Sequence, residues 1–393
     1  MISNWKMVKL GDVCRIIGGG TPAKNNVDYY KGNIPWATVR DMKNFNLSET
    51  EFCITPKAVE ESATNVIPKG TIVISTHVGL GKICELMQDT AINQDLKALF
   101  LDDMVDKHYF SYWYQSIANY IVANGTGATV KGVKIPFIQG LEMPLPPIQE
   151  QKQIVEKLDN AFAKIDAIKA NAEKSVNEAQ NLYKSVLEDL TKPCDTWSNN
   201  TLGDVVDFVR GPFGGSLTKN MFIESGYAVY EQQHAIHEHL LFRYFVDEKK
   251  YKEMERFQVH SGDLIMSCSG VIGRVVIIPE NAPRGIINQA LLKMSIRKGL
   301  INEYLCYLLK SPSFQKTIFE HTKGAAIPNL APVATIKRIQ VYLPSLEEQR
   351  LIVNKLDKIS ESIQRLKNTI EIVQSECSAL KQSILRKAFN GEL

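Results

Sequence analysis

Apolar residues near the end of the chain fall at Ile352, Leu356, Ile359, Ile363, Leu366, Ile370, Val373, Cys377, Leu380 and Ile384, in alternating steps of four and three. That spacing predicts a long helix with a heptad seam. A matching stripe lies earlier, at Ile154, Leu158, Ala161, Ile165, Ile168, Ala172, Ser175, Ala179, Leu182 and Val186. Both read as coiled-coil strands, the first with smaller residues in its second half. Ser345 followed by Glu348 forms a capping box, Pro146-Pro147 ends the extended segment ahead of the first helix, and Asn390-Gly391 reads as the final cap. Elsewhere the pattern changes to short β-branched runs, such as Thr71-Ile72-Val73-Ile74 and Val275-Val276-Ile277-Ile278, set off by Gly, Pro and Asn turns. Helical stretches are predicted near 106–123 and 301–319.

The chain repeats itself. Trp5, Leu10, Gly11, Asp12 and Val13 recur 192 residues on as Trp197, Leu202, Gly203, Asp204 and Val205. Gly70, Ser75 and Gly81 recur as Gly262, Ser267 and Gly273, and LPPIQEQKQIVEKLD from 145 answers LPSLEEQRLIVNKLD from 343. A repeat this long is a domain rather than a solenoid unit. The predicted fold class is α+β: two similar mixed α/β domains, 1–148 and 193–346, separated by helices 149–192 and 347–393. The second domain leaves the end of one helix and enters the start of the other, and domain termini lie close together, so the helices are expected to pair as an antiparallel coiled coil. Such a pairing gives an internal pseudo-twofold, with the globular domains at opposite ends of a seam about 50 Å long.

Composition narrows the function. The 393 residues suffice for two cored domains, no apolar run is long enough for a membrane span, and the start has no secretory layout, so a cytoplasmic protein is expected. Seven cysteines with no CxxC argue against a disulfide framework or zinc ribbon. A net charge of +3 leaves nucleic-acid binding to local patches, and only the second domain is net basic.

Catalytic motifs are lacking. GGGTP (18–22) and GPFGGS (211–216) have no phosphate-reaching lysine and read as turns. Asp95-Leu96-Lys97 has nuclease-like spacing, but Ala290-Leu291-Leu292 stands there in the second copy. The HAIHEH run (234–239) reads as a solvated loop, and Ser267-Cys268-Ser269-Gly270 lacks a paired histidine. A self-contained nuclease or methyltransferase would need a motif that is not there, and a plain scaffold would not need two turn-rich domains.

In order, GGGTP, IPWATVRDM (34–42), IPKGTIVIS, GLGK, NQDLKAL, GTGAT and LPPIQEQKQIV resemble the specificity subunit of type I restriction-modification systems. The second half repeats the theme with SGDLIMSCSGVIGR, INQALL, KGAAIPNL and LPSLEEQRLIV. The resemblance spans essentially the whole chain. It implies a non-catalytic subunit whose two target recognition domains each read one half of a bipartite, gapped sequence in double-stranded DNA. Two modification subunits, adenine N6 methyltransferases using S-adenosylmethionine, would dock on the helices. Restriction/translocase subunits using ATP and Mg would join them, leaving no cofactor in this chain. An equivalent subunit of another methyltransferase-based defence system fits the same residues.

Acid-poor segments approach phosphates without repulsion, which singles out Lys24, Lys131 and Lys134, then Arg284, Lys293, Lys323, Lys337 and Arg338. For base edges, loop residues able to enter the major groove are Asn25, Asn26, Arg40, Lys43 and His77, then Arg210, Lys219, Asn220, His234 and Arg274. Lys82 and Arg274 share a repeat position, which suits backbone positioning in both copies.

Overall fold

The computed structural model describes residues 5–127, 130–320 and 329–393. The chain forms two compact units, Met1–Ala172 with Glu371–Leu393, and Glu173–Ile370. Each therefore contains one globular segment and parts of both long helices.

In the first unit Lys6–Lys9 pairs antiparallel with Glu142–Leu145. A five-stranded sheet follows the order Cys14–Gly18, Leu96–Leu101, Ile72–Ser75, Ile83–Leu86, Asn46–Leu47. A four-stranded sheet runs Phe52–Ile54, Ile34–Ala37, Thr90–Ile92, Asn65–Ile67. The strand Ile72–Ser75 shows why a continuous β-branched run is needed: Ile72 and Ile74 pack into one core cluster and Val73 into another. Alternate residues point to opposite faces, so a strand between two cores is apolar throughout.

The second unit repeats this plan. Ser198–Thr201 pairs with Gln340–Leu343, and one sheet runs Val206–Arg210, Leu291–Ile296, Leu264–Ser267, Val275–Ile277. The other runs Phe245–Val246, Tyr227–Tyr230, Gly285–Ile287, Gln258–Val259, matching the first unit's four-stranded sheet strand for strand. Leu264 and Met266 face one core and Ile265 the other. The repeated glycines sit where L side chains are strained: φ is +83° at Gly70 and +85° at Gly262, +83° at Gly81 and +77° at Gly273.

Both predicted mid-domain helices are broken in two. Lys107–Ser116, capped by the Asp106 carboxylate on the His108 and Tyr109 amides at 2.9 Å, gives way at Ile117 to Ala118–Ala123. In the second unit Asn302–Lys310 stops at Ser311, whose extended backbone (φ −64°, ψ 145°) is what the following Pro312 demands, and Pro312–Glu320 begins anew.

The long helices span Ile148–Thr191 and Leu346–Phe389, 44 residues each. In the first unit Lys381 meets Asp166 at 2.6 Å, Lys169 meets Ser378 at 3.0 Å, and Lys157 reaches the Leu393 carbonyl at 3.2 Å. One index rises as the other falls, so the segments run antiparallel. In the second unit Leu187 at the end of the first helix shares a core with Ile352, Val353 and Leu356 at the start of the second.

Two details differ from the sequence reading. The Glu348 amide donates to Ser345 Oγ at 3.2 Å, but the Glu348 carboxylate accepts from Trp197 Nε1 at 3.2 Å instead of closing a capping box. Trp5 Nε1 does the same to Glu150 at 3.1 Å. The seam also drifts. Ile154, Leu158, Ile165, Ile352, Leu356 and Ile370 are buried, but Ile168 is 50% exposed, Leu182 64% and Leu380 49%. Burial passes instead to Phe162, Leu187, Leu385 and Ala388, while Val186, Ile363, Leu366 and Ile384 are half-buried. A helix of 3.6 residues per turn rotates about 20° per heptad relative to a strict 3.5-residue stripe, so not every member of such a stripe can face the seam. Gly391 closes the second helix at φ 73°, with the Glu392 amide returning to the Lys387 carbonyl at 2.9 Å.

Candidate nucleic-acid interface

Sequence candidates gather at one place in the first unit. The loop after strand Cys14–Gly18 and the turn after Ile34–Ala37 bring Lys24 and Arg40 to the rim of a cavity of about 630 Å³. Tyr30, Trp36 and Phe52 line it, with Asn93, Gln94 and Asp95. Asp41 holds the Arg40 turn: its carboxylate accepts from the Thr38 amide at 2.7 Å, the Thr38 hydroxyl at 2.9 Å and the Glu51 amide at 2.9 Å. Arg40 and Lys43, both exposed, also flank a smaller depression of about 390 Å³. Among the described residues neither Lys24 nor Arg40 makes an ion pair.

The polar handles of the aromatic walls are spent inward. Trp36 Nε1 donates to the Gly20 carbonyl at 3.2 Å, and Tyr30 Oη donates to the Pro22 carbonyl at 2.8 Å. Trp36 meets Tyr30 and Phe52 edge-on, with ring centroids 5.8 and 6.5 Å apart. Asp95 is engaged by Asn93 Nδ2 at 3.2 Å and lies 3.6 Å from His77 Nδ1. Gly132 leaves room for that imidazole, since a Cβ there would stand 2.6 Å from His77 Cδ2.

The remaining candidates scatter. Asn25, Lys131 and Lys134 are exposed, whereas the Asn26 side chain accepts from the Asp28 amide at 3.2 Å as a helix cap. Lys82 is exposed but turns its ammonium back to the Met42 carbonyl at 3.3 Å. In the second unit Lys219 and Asn220 are exposed, Arg210 is half-buried, and Phe213 on the same glycine-rich loop is 86% exposed. Arg274 is exposed beside a separate cavity of about 650 Å³ that includes Lys184, Lys310, Lys367 and Glu238. Arg284 lies over the rings of Tyr227 and Tyr251, which stack at 3.9 Å, and Lys337 and Arg338 are exposed. Lys323 lies outside the described residues.

Two candidates are buried. His234, read as part of a solvated loop, is 1% exposed in the helix Gln232–His237. Its Nδ1 accepts from the Glu231 amide at 2.8 Å and its Nε2 lies 2.9 Å from the Leu241 carbonyl, so no edge is left for a base. Burial lowers its pKa below the ordinary histidine value, outweighing the two backbone carbonyls that favour the charged form. Lys293 is 7% exposed on strand Leu291–Ile296, with its ammonium on the Gln258 carbonyl at 2.5 Å. Burial lowers its pKa against the opposing pull of Asp263. A phosphate cannot reach it there. Burial also pushes the Cys268 thiol up to about 12, which removes it as a nucleophile at neutral pH.

Sequence reasoning missed the aromatic walls, although Tyr29-Tyr30 and Trp36 stand close together beside the glycine-rich loop. It also missed what the repeated glutamine does. Gln151, fully buried, accepts from the Asp106 amide at 2.8 Å and donates to the Met104 and Pro146 carbonyls at 2.9 and 2.8 Å. Gln349 makes the same three bonds to Ile301, Gly299 and Pro344 at 2.9, 3.1 and 3.0 Å. The strongest repeat in the sequence is therefore a structural staple.

Comparison with known proteins agrees with this plan. The family model described as type I restriction modification DNA specificity domain matches residues 2–178 and again 194–373. The EcoBI specificity subunit of the type I restriction enzyme of Escherichia coli is 23% identical, over 99% of this chain and 86% of its own. A chain from a solved type I restriction-modification system shares the fold at a TM-score of 0.75 and 18% identity, covering 100% of both. The HsdS subunit from Thermoanaerobacter tengcongensis does so at 0.55 and 18% identity, covering 99% of this chain and 97% of that one. Matched twice, over most of its length, the chain belongs to the family of type I restriction modification DNA specificity domains.

Proposed function

We propose that this chain is the specificity subunit of a type I restriction-modification complex, with residues 1–148 and 193–346 as its two target recognition domains. The observation that carries this reading is the doubled family domain on one repeated scaffold, whose two copies place different side chains in equivalent loops. Thr21 of the first glycine-rich loop stands where Phe213 stands in the second, and Trp36, paired with Ala91, stands where Val229, paired with Ile286, does. One framework with two different loop sets suits two unlike half-sites.

Duplex DNA is the ligand, and the exposed cations Lys24, Arg40, Lys43, Lys219 and Arg274 supply phosphate and base contacts. The subunit itself is non-catalytic and acts in the cytoplasm, with S-adenosylmethionine, ATP and Mg used by its partners. Two modification subunits dock on the long helices, whose exposed apolar residues Ile168, Leu182, Ile372 and Leu380 give them contact surface. No helix among the described residues is long and apolar enough to cross a membrane.

Exchange of residues 1–148 for the corresponding segment of a relative, assayed as methylation in the assembled complex, tests the reading. One half of the methylated motif should change and the other stay. A motif that changes in both halves, or in neither, would overturn it.

A further inference from the structure

The cavity of the first unit is larger and more aromatic than groove reading requires. A side chain that reads a base edge needs only to reach it. Here a concave space of about 630 Å³ is built behind the exposed cations. The polar atoms of two of its aromatic residues are already taken up, the Trp36 indole N–H by the Gly20 carbonyl and the Tyr30 hydroxyl by the Pro22 carbonyl. Three apolar side chains stay exposed around it, Val27 at 67%, Val78 at 55% and Phe52 at 42%. Exposed apolar surface around a concave site marks a place where something docks. The polar side offers the exposed Gln94, whose Oε1 takes the Thr21 hydroxyl. The single carboxylate, Asp95, is engaged by Asn93 and His77. Lys24 and Arg40 stand at the rim without a carboxylate of their own. A concave space lined by aromatic side chains beside cations complements a nucleotide: a planar base inside and the flanking phosphates outside.

We infer that this cavity takes up one unstacked nucleobase of the DNA at the first half-site, with Phe52 providing the stacking face and Arg40 and Lys24 holding the adjacent phosphates. The second copy lacks the indole, since Val229, paired with Ile286 as Trp36 is with Ala91, stands in its place, so the second half-site is read without extrusion. The inference rests on the specificity-subunit reading.

A mismatch scan tests it. For a duplex read in its grooves each mismatched pair weakens binding, whereas an extruded base costs less to unpair when it is already mismatched. The full chain is titrated, without modification subunits that would extrude their own target, against duplexes carrying its methylated motif with one mismatch at each position in turn. One position in the first half-site should bind about tenfold tighter than the matched duplex, and every other mismatch should weaken binding. Phe52→Ala should abolish the gain and Phe52→Tyr retain it. If all mismatches weaken binding to a motif the chain otherwise recognises, the cavity holds no base and the specificity reading stands. If wild-type chain shows no preference for the motif, both fall. A gain unchanged in Phe52→Ala would also overturn the assignment.

Discussion

At the scale of single residues, burial separates structural polar groups from those free to meet a ligand. Gln151 and Gln349 each satisfy one backbone amide and two carbonyls inside the protein, and an unsatisfied buried group costs roughly 1–3 kcal/mol. Gln151→Leu should therefore destabilise the first unit by about 3 kcal/mol, read as a lower denaturant midpoint with DNA contacts unaltered; an unchanged midpoint would refute the staple. His234 gives a pH signature. Its folded pKa lies below its unfolded value because burial disfavours the imidazolium, with the His239 ring 5.5 Å away adding to this. The unfolded chain then binds more protons, so its contribution is present above the unfolded value of 6.5 and is lost as pH falls through the folded pKa. Unfolding midpoints of wild type should drop below that pH, and His234→Gln should flatten the dependence. None of this was legible from residue identity, because a histidine between Gln233 and Ala235 looks the same on a loop as in a core. The aromatic wall was hidden for a related reason: Tyr30, Trp36 and Phe52 come from separate elements and meet only when the strands pair.

At the scale of elements, the repeat and the two helices were readable because apolar period and capping residues are local. Thr71-Ile72-Val73-Ile74 announced a strand, and Ser345 marked the start of the second helix. The seam was readable in outline only. A strict four-three count assumes 3.5 residues per turn along the whole length, and Ile168, Leu182 and Leu380 lie outside the interface while Ile370 and Cys377 stay buried. Helix breaks at Ile117 and Ser311 were also missed; Pro312 was a visible signal for the second. Truncation should sort the stripe. Leu158→Ala and Leu356→Ala, both fully buried, should cost about 2–5 kcal/mol. Leu182→Ala and Ile168→Ala, exposed on the same helix, should change stability by less than about 0.5 kcal/mol while weakening capture of the modification subunit. Equal losses of stability at all four positions would restore the unbroken seam.

At the scale of the whole molecule, duplication explains why neither unit follows chain order. The core of the first unit uses Cys377, Leu385 and Ala388 from the second long helix alongside Phe162 and Ile165 from the first. A fragment ending at residue 193 loses those partners, but a second copy offers Ala179, Leu187 and Leu190 at the repeat-equivalent positions. Residues 1–193 should therefore form a dimer, with a doubled mass in light scattering; a monomer at high concentration would contradict the equivalence of the two helices. Function was legible at this scale because order and duplication of motifs survive where individual side chains vary. The residues proposed to contact DNA were not, because their exposure depends on the packed scaffold. The central claim, that two unlike reading domains on one framework specify a split DNA site, is tested most directly by methylation mapping. The chain is co-expressed with the modification subunit encoded beside it in a host lacking such methylation, and modified adenines are located by single-molecule sequencing. The account predicts a bipartite motif with two unlike halves and a fixed gap, lost when this chain is omitted. Methylation that persists without the chain, or an ungapped motif, would contradict it.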